Sequence, residues 1–510
     1  MGRLITRANT AGGGTITYGY DRASNLTSVS DTRGTTTYTF DTSGAPTSMT
    51  YGPTGAQKTV NFATDDRGRR TDTWLDSDPS NTTWAAHTRN SYDTTGRITR
   101  VLAEQQNEFG TFPVVDLSYC YNAGTTGTCA TTTASDRTKI QRVTDNISGA
   151  VTAYTYDQAG RLTNAVITGG EAPATYTYTY DSRGNRLTAS GGTQPNQSFT
   201  ANPANQISTA GYTYDGTGNL TASPEGTQTY NGAGQMKTAT REGTAYTYTY
   251  AGTTQNELLA QTTPDGNYSY NYGRTDAQGL PVIEQLKRGN GTAYIEHDPV
   301  TGEPLVLRTA AGRDALYIYD GTGNPAALIT SEPYVAFAYT YDPYGVPTLT
   351  GASGGAAVLQ NPYLFKAGTQ DRTTGWVKYG ARWYNPTTGR WTQQDTLDTP
   401  LDPANANRYA FAANDPINNS DPLGLYTFGE GASDCATGAA SSVAISLGLG
   451  TIGGPGALVG GLVGGCTVSI ISGIAADFLT DNQQDEDRVS NGLDYIGFLG
   501  DAARVAGRLL

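Results

Sequence analysis

The chain has 510 residues, of which only 15% are charged, and it carries 64 glycines and 34 tyrosines. Its net charge of -13 excludes the clustered Lys and Arg of a nucleic-acid surface. Two isolated histidines, His87 and His297, are too few for a zinc site, so no metal and no cofactor is expected. The shortage of helix formers beside abundant Tyr, Thr and Gly points to an all-β class.

In chain order, Met1-Gly2-Arg3-Leu4-Ile5 runs into polar residues and glycines rather than an apolar core, so no export signal is expected within this chain. The repeat pattern starts in mid-unit, as the continuation of an upstream region would. Cys120 and Cys129 bracket a turn-like stretch, which suits a local hairpin disulfide; with Cys435 and Cys466 they equally suit free thiols.

The dominant unit is Tyr-x-Tyr-Asp-x-x-Gly, followed within a few residues by an apolar residue and Thr. It runs from Tyr154 to Leu162, Tyr178 to Leu187 and Tyr212 to Leu220, with an Asn variant from Tyr230 to Met236. Weaker copies start at Asp41, Asp65 and Asp93, and later ones at Asp320 and Asp342. Spacing drifts from 24 (Asp157 to Asp181) to 34 (Asp181 to Asp215) to 16 (Asp215 to Asn231), which suits hairpins of variable length better than a strict solenoid. In Thr175-Tyr176-Thr177-Tyr178-Thr179-Tyr180 the tyrosines share one strand face and the threonines the other. The Asp then accepts backbone N–H bonds in a turn, and the Gly takes positive φ. Tyr and Asp also suit sugar or calcium binding, but turn and ladder geometry demands them at every copy, so scaffolding is the expectation.

Beyond the repeats come Asn361-Pro362-Tyr363-Leu364-Phe365, Gly375 through Tyr384, Gly389-Arg390-Trp391, Gln393-Gln394-Asp395 and Asn407-Arg408-Tyr409. The region closes with Asp415-Pro416-Ile417-Asn418 and Asp421-Pro422-Leu423-Gly424-Leu425. With these motifs the chain resembles the YD-repeat or RHS family, which includes polymorphic toxins and the C components of insecticidal toxin complexes. The resemblance covers roughly residues 15 to 425. It implies a spiralling antiparallel hairpin ribbon that forms a hollow or partial shell, with a core domain that cuts the chain after the last Leu of its Asp-Pro-x-Gly-Leu motif.

Carried over, the scissile bond is Leu425–Tyr426, and residues 426–510 are the cargo. The chemistry implied is aspartyl autoproteolysis: one carboxylate takes a proton from water while the other, protonated, donates to the peptide carbonyl. Two carboxyls held close do not both ionise easily, so one supplies the acid. Asp421 matches the downstream family aspartate and Asp395 stands where the upstream one belongs. The chain departs from the family at Asp395-Thr396-Leu397-Asp398, where Asp-Pro-x-Gly is usual, so Asp398 and Asp402 compete for the partner role. Arg390 is a candidate to position or polarise the pair, beside a purely structural role.

After Leu425 the composition changes. No charged residue occurs from Cys435 to Ala476, and Gly453-Gly454-Pro455-Gly456 divides two apolar segments, which suits a helical hairpin. Gly456, Gly460 and Gly464 fit close helix approach in a membrane. A membrane-active cargo competes with a soluble helical pair, a toxin remnant and a plain linker. The organisation expected is a repeat shell over 1–290, later repeats and core domain over 291–425, and a tail over 426–510. The leading reading is a secreted or cell-surface delivery scaffold. Its partners would be its own tail as cargo, an upstream shell or secretion component and a membrane, not nucleic acid. The alternative is an uncut adhesion protein, with or without sugar binding.

Overall fold

The computed structural model describes residues 3–9, 14–122, 138–192, 194–252, 257–331, 335–350, 360–396, 406–424 and 428–429. Over these residues there is no α-helix, and short 3-10 turns, among them Phe365–Ala367 and Ala412–Asn414, interrupt an otherwise antiparallel β structure. A 16-stranded sheet runs from Thr6–Asn9 to Gln197–Ser198, and a 14-stranded sheet from Thr213–Tyr214 to Pro347–Leu349. In both, each strand pairs with its neighbours in sequence, as a hairpin array requires. Residue 290 falls in the turn between Pro281–Arg288 and Gly291–His297, so the second sheet continues through that expected boundary. The tail expected to be helical lies outside the described residues.

The repeat turns share one hydrogen-bond pattern. At Asp157, Oδ1 accepts from the backbone N of Ala159 and Arg161, and Oδ2 accepts from Arg161 Nε. Asp181 does the same with Arg183, Asn185 and the Asn185 amide. Gly160 and Gly184 close these turns with φ of 79° and 76°, a region glycine enters without steric cost. Burial pushes the Asp157 carboxyl up, but the bonds from Arg161 outweigh it and hold the group below the usual carboxylate range.

The tyrosine before the Asp reaches back to the previous turn. Tyr180 Oη donates to Leu162 O, Tyr92 to Arg70 O and Tyr341 to Pro325 O. Each acceptor is the residue just after the preceding Asp-x-x-Gly-x turn. Where the fifth turn residue is Arg, its guanidinium also lies over that tyrosine, at 4.8 Å for Arg161 over Tyr180 and 4.4 Å for Arg69 over Tyr92. Thus each of these Tyr-Asp pairs makes its own turn and clamps the one before it. The threonine face lies outward, where Thr179–Thr188 and Thr229–Thr238 form exposed cross-strand hydroxyl pairs.

The strands Pro304–Thr309, Asp314–Tyr319 and Pro325–Thr330 are buried on both faces. Val306, Leu316, Ile318 and Ile329 join the core of the first sheet, while their neighbours Leu307, Ala315, Tyr317 and Leu328 join the core that includes Trp376 and Trp383. This is why these strands read as continuous apolar runs rather than alternating ones.

The region after the second sheet forms a small four-stranded sheet of Thr369–Gln370, Val377–Tyr379, Arg382–Asn385 and Arg390–Trp391. Its core is aromatic: Phe365, Tyr379, Tyr384, Trp391 and Phe411 pack together, with the rings of Tyr384 and Phe411 stacked at 4.0 Å. These contacts use the ring area that makes aromatics the largest contributors to a small core, and they fix the frame on which the candidate site is built.

Candidate functional site

Asp421 and Asp395 come together on one side chain, Arg382. Its Nη2 lies 2.6 Å from Asp395 Oδ2 and 3.1 Å from Asp421 Oδ2. All three residues are buried: Arg382 is 4% exposed, Asp395 8% and Asp421 1%. Burial pushes the Arg382 guanidinium below its usual value, and Asp421 and then Asp395 push it back up.

Each member is placed by the backbone around it. Arg382 opens the strand that follows the tight Gly380-Ala381 turn, and its guanidinium lies over the Trp391 ring at 4.1 Å. Asp395 is held by two-way pairing with Arg408: its N donates to Arg408 O at 3.0 Å, and its O accepts from Arg408 Nε at 2.8 Å. Arg382 Nη1 also donates to Arg408 O, at 3.2 Å, so one carbonyl ties the two segments.

Asp421 begins a turn closed by Gly424, whose N donates to Asp421 O and whose φ is 63°. This turn is seated on the 379–382 hairpin. Ala381 N donates to Leu423 O at 2.9 Å, and Arg382 Nε donates to Gly424 O. The fit is close: a Cβ on Gly380 would lie 2.2 Å from Leu423 O. Arg382 therefore holds both carboxylates and the carbonyl one residue before the expected scissile one. Leu425 and Tyr426 lie outside the described residues, but the chain on either side is tied together: Asn419–Ser420 pairs antiparallel with Phe428–Gly429.

The structure directs Arg390 elsewhere. Its Nη2 donates to Asn185 Oδ1 at 3.2 Å and to Asn205 O, and its guanidinium faces the Tyr409 ring, so it joins the core region to the repeat turns. The arginine that touches the aspartates is Arg382, whose only advance signal was its place at the end of Gly380-Ala381-Arg382. Asp398 and Asp402 lie outside the described residues. Cys120 is disulfide-bonded, and Cys129 lies outside the described residues.

His87 stacks on Trp74 with ring centroids 5.0 Å apart, and both ring nitrogens of His297 contact backbone carbonyls, of Gly302 and Ile283. Among the described residues, no group of three or more His, Cys, Asp and Glu side chains is arranged to hold a metal ion. No helix among them is long and apolar enough to cross a membrane.

Known proteins share this architecture. The chain is 25% identical over 277 residues to the tRNA3(Ser)-specific nuclease WapA of Bacillus spizizenii, a match covering 53% of this chain and 12% of that protein. It is 32% identical over 113 residues to the tRNA nuclease WapA of Bacillus subtilis, covering 22% of this chain and 5% of the relative. The chain therefore spans only a small part of these relatives. Among solved structures it resembles the crystal structure of TcdB2-TccC3-Cdc42, with a TM-score of 0.63, 17% identity, and coverage of 83% of this chain and 22% of that one. It also resembles the Photorhabdus luminescens Tc holotoxin pore, with a TM-score of 0.64, 16% identity, and coverage of 81% and 21%. At such identities the likeness establishes the fold. The Teneurin YD-shell family model matches residues 133–417, more than half of the chain, and the protein belongs to that family of YD/RHS shell proteins.

Proposed function

We propose that the chain is a delivery scaffold that cuts its own backbone at Leu425–Tyr426 and carries residues 426–510 as cargo. The observation that carries this reading is the single Arg382 guanidinium within reach of both Asp421 and Asp395 while also holding Gly424 O. That arrangement brings two carboxyls onto one cation, as a pair that divides acid and base roles requires.

In the reaction, one carboxylate takes a proton from water as its oxygen adds to the Leu425 carbonyl carbon. The protonated partner donates to the carbonyl oxygen. Collapse of the adduct breaks the C–N bond, with a proton passing to the Tyr426 nitrogen, to leave a Leu425 carboxylate and a Tyr426 amine. Arg382 orients the adjoining peptide and stabilises the shared negative charge. Pairing of Asn419–Ser420 with Phe428–Gly429 holds the two flanks of the expected scissile bond together.

The shell fold shared with toxin-complex components and the likeness to proteins named as tRNA nucleases support a toxin-type carrier acting outside the cell or at its surface. Its partners in this reading are its own tail, an upstream shell or secretion component, and a membrane met by the apolar tail. The test is the intact mass of the purified chain beside Asp421→Asn and Asp395→Asn. Two fragments in the unaltered protein and one full-length species in both variants are expected. A cut that survives Asp395→Asn and not Asp421→Asn moves the partner to Asp398 or Asp402. Uncut protein in all three leaves the adhesion reading in its place.

A further inference from the structure

Lys378 is the middle residue of the strand Val377–Tyr379 and is buried, at 7% exposure. Its side chain turns back on its own hairpin: Nζ donates to Gly380 O and lies 5.8 Å from the centre of the Trp383 ring. Gly380 O is one end of a peptide group whose other end is also engaged. The N–H of that same peptide, on Ala381, donates to Leu423 O at 2.9 Å. One planar amide thus carries the lysine amine at its oxygen and the Leu423 carbonyl at its hydrogen. Pinned at both ends, the plane cannot tilt freely. A donor at the oxygen also makes the N–H more positive, so the bond to Leu423 strengthens as hydrogen bonds in a chain polarise one another. Gly424 backs on the same turn, where an added Cβ would lie 3.2 Å from Tyr379 O.

We infer that Lys378 is a positioning residue for the cut at Leu425–Tyr426, holding the Gly380–Ala381 peptide so that Ala381 N–H grips Leu423 O. This role rests on the self-cleavage proposed above and adds to it a residue outside the aspartate pair. The amine acts through the turn and touches none of the reacting atoms.

The grip follows the charge on Lys378, because a charged donor bonds more strongly than a neutral one. Burial is the influence that sets its proton affinity, lowering it to about 7. Below that value the amine is charged and the grip complete; as pH rises through it, the grip loosens. Lys378 lines a cavity of about 180 Å³ together with Gly380, Ser420 and Pro422, large enough for water to exchange protons with the amine. The charged residues on the same wall are Asp276, Glu303 and Lys366. Lys366 Nζ donates to Thr322 O, and Glu303 accepts from the Thr301 hydroxyl. Asp276 is pushed up to about 7 by burial and titrates in the same range. The cross-strand neighbours of Lys378, Thr369 and Trp383, carry no charge, and beyond the turn stand Arg382, Asp395 and Asp421. Substitution of Lys378 therefore separates its titration from that of the carboxyls.

The test is the rate of the cut, read by intact mass against time after cell-free synthesis of the full chain and transfer to pH 6 or pH 8. The unaltered chain is expected to cut at least about threefold faster at pH 6, following the charged fraction of Lys378. Lys378→Met is expected to cut at least about fivefold slower than the unaltered chain at pH 6, as a displaced reacting group does, with no difference left between the two pH values. Lys378→Arg supplies a donor charged at both pH values, and is expected to cut faster than Lys378→Met and equally at both. Thermal unfolding of the two variants, each in the Asp421→Asn background, reports whether they fold. Cutting of Lys378→Met at the unaltered rate, or slowed cutting with the unaltered pH dependence, overturns the role while self-cleavage stands. An unaltered chain that is never cut overturns self-cleavage itself, and this role with it.

Discussion

Asp157 and Asp421 each open a turn closed by a glycine whose N donates back to the aspartate carbonyl, at 2.9 and 3.2 Å. The two turns differ at their last position. The fifth residue of the Asp157 turn is Arg161, which caps the carboxylate; the fifth residue of the Asp421 motif is Leu425, whose side chain carries no donor. The repeat aspartate is thus spent within its own turn, while the core aspartate takes its cation from Arg382 in another strand and shares it with Asp395. The same turn gives a structural element where its last position is polar, and exposes a carboxylate to other chemistry where that position is apolar.

That contrast breaks most sharply at Asp421. Asp421→Asn is expected to slow the cut by at least about 100-fold, the scale of a lost acid–base group, while Asp157→Asn leaves it unchanged; cleavage followed by mass against time after synthesis decides. In the Asp421→Asn background, which stays uncut, Arg382→Gln takes the guanidinium from the buried Asp395 and is expected to cost about 3–5 kcal/mol. Arg161→Gln, on a half-buried pair, costs at most about 1 kcal/mol. Denaturant midpoints of uncut protein, made in the Asp421→Asn background, measure both. Equal losses at the two arginines would erase the distinction.

Gly380→Ala is a finer probe. The added Cβ meets Leu423 O at 2.2 Å, so the 421–424 turn must shift while the repeats are untouched. A slowing of the cut by about tenfold is expected, on the scale that displacement of a reacting group produces, with the unfolding midpoint nearly unchanged.

The smallest effect is a difference in sign between two repeat turns. Asp342, with Val346 at its fifth position, is pushed up to about 6 by burial against the backbone bonds of its turn. The stability it contributes is complete below its unfolded value of about 4 and is lost as pH rises towards 6. Asp157 sits below its usual range, so its contribution is present above about pH 4 and lost as pH falls. Melting curves between pH 3 and 8 should show Asp342→Asn relieving a loss on the alkaline side and Asp157→Asn removing a gain there. Parallel curves for the two variants would contradict the assignment.

Much of this was legible in the sequence because it is local. Asp, Gly and alternating Tyr and Thr act within one hairpin, so Tyr178 to Leu187 announces its strands and its turn unaided. The link from Tyr180 to Leu162 was not legible, since it joins one repeat to the one before and needs the sheet register. Arg390 is the arginine the sequence singles out, although Arg382 stands in a similarly aromatic-rich run. Only folding distinguishes them, because the pair that Arg382 touches is assembled from the 380 turn, the strand end near 395 and the turn at 421. The apolar runs near 306, 316 and 328 likewise acquire their meaning from a second packed layer.

Self-cleavage is tested most directly by the intact mass, under denaturing conditions, of the unaltered chain purified in full. Two species that meet between Leu425 and Tyr426 are expected, the smaller one beginning with Tyr426 on N-terminal sequencing. A single species of full length, or a cut at any other bond, contradicts it.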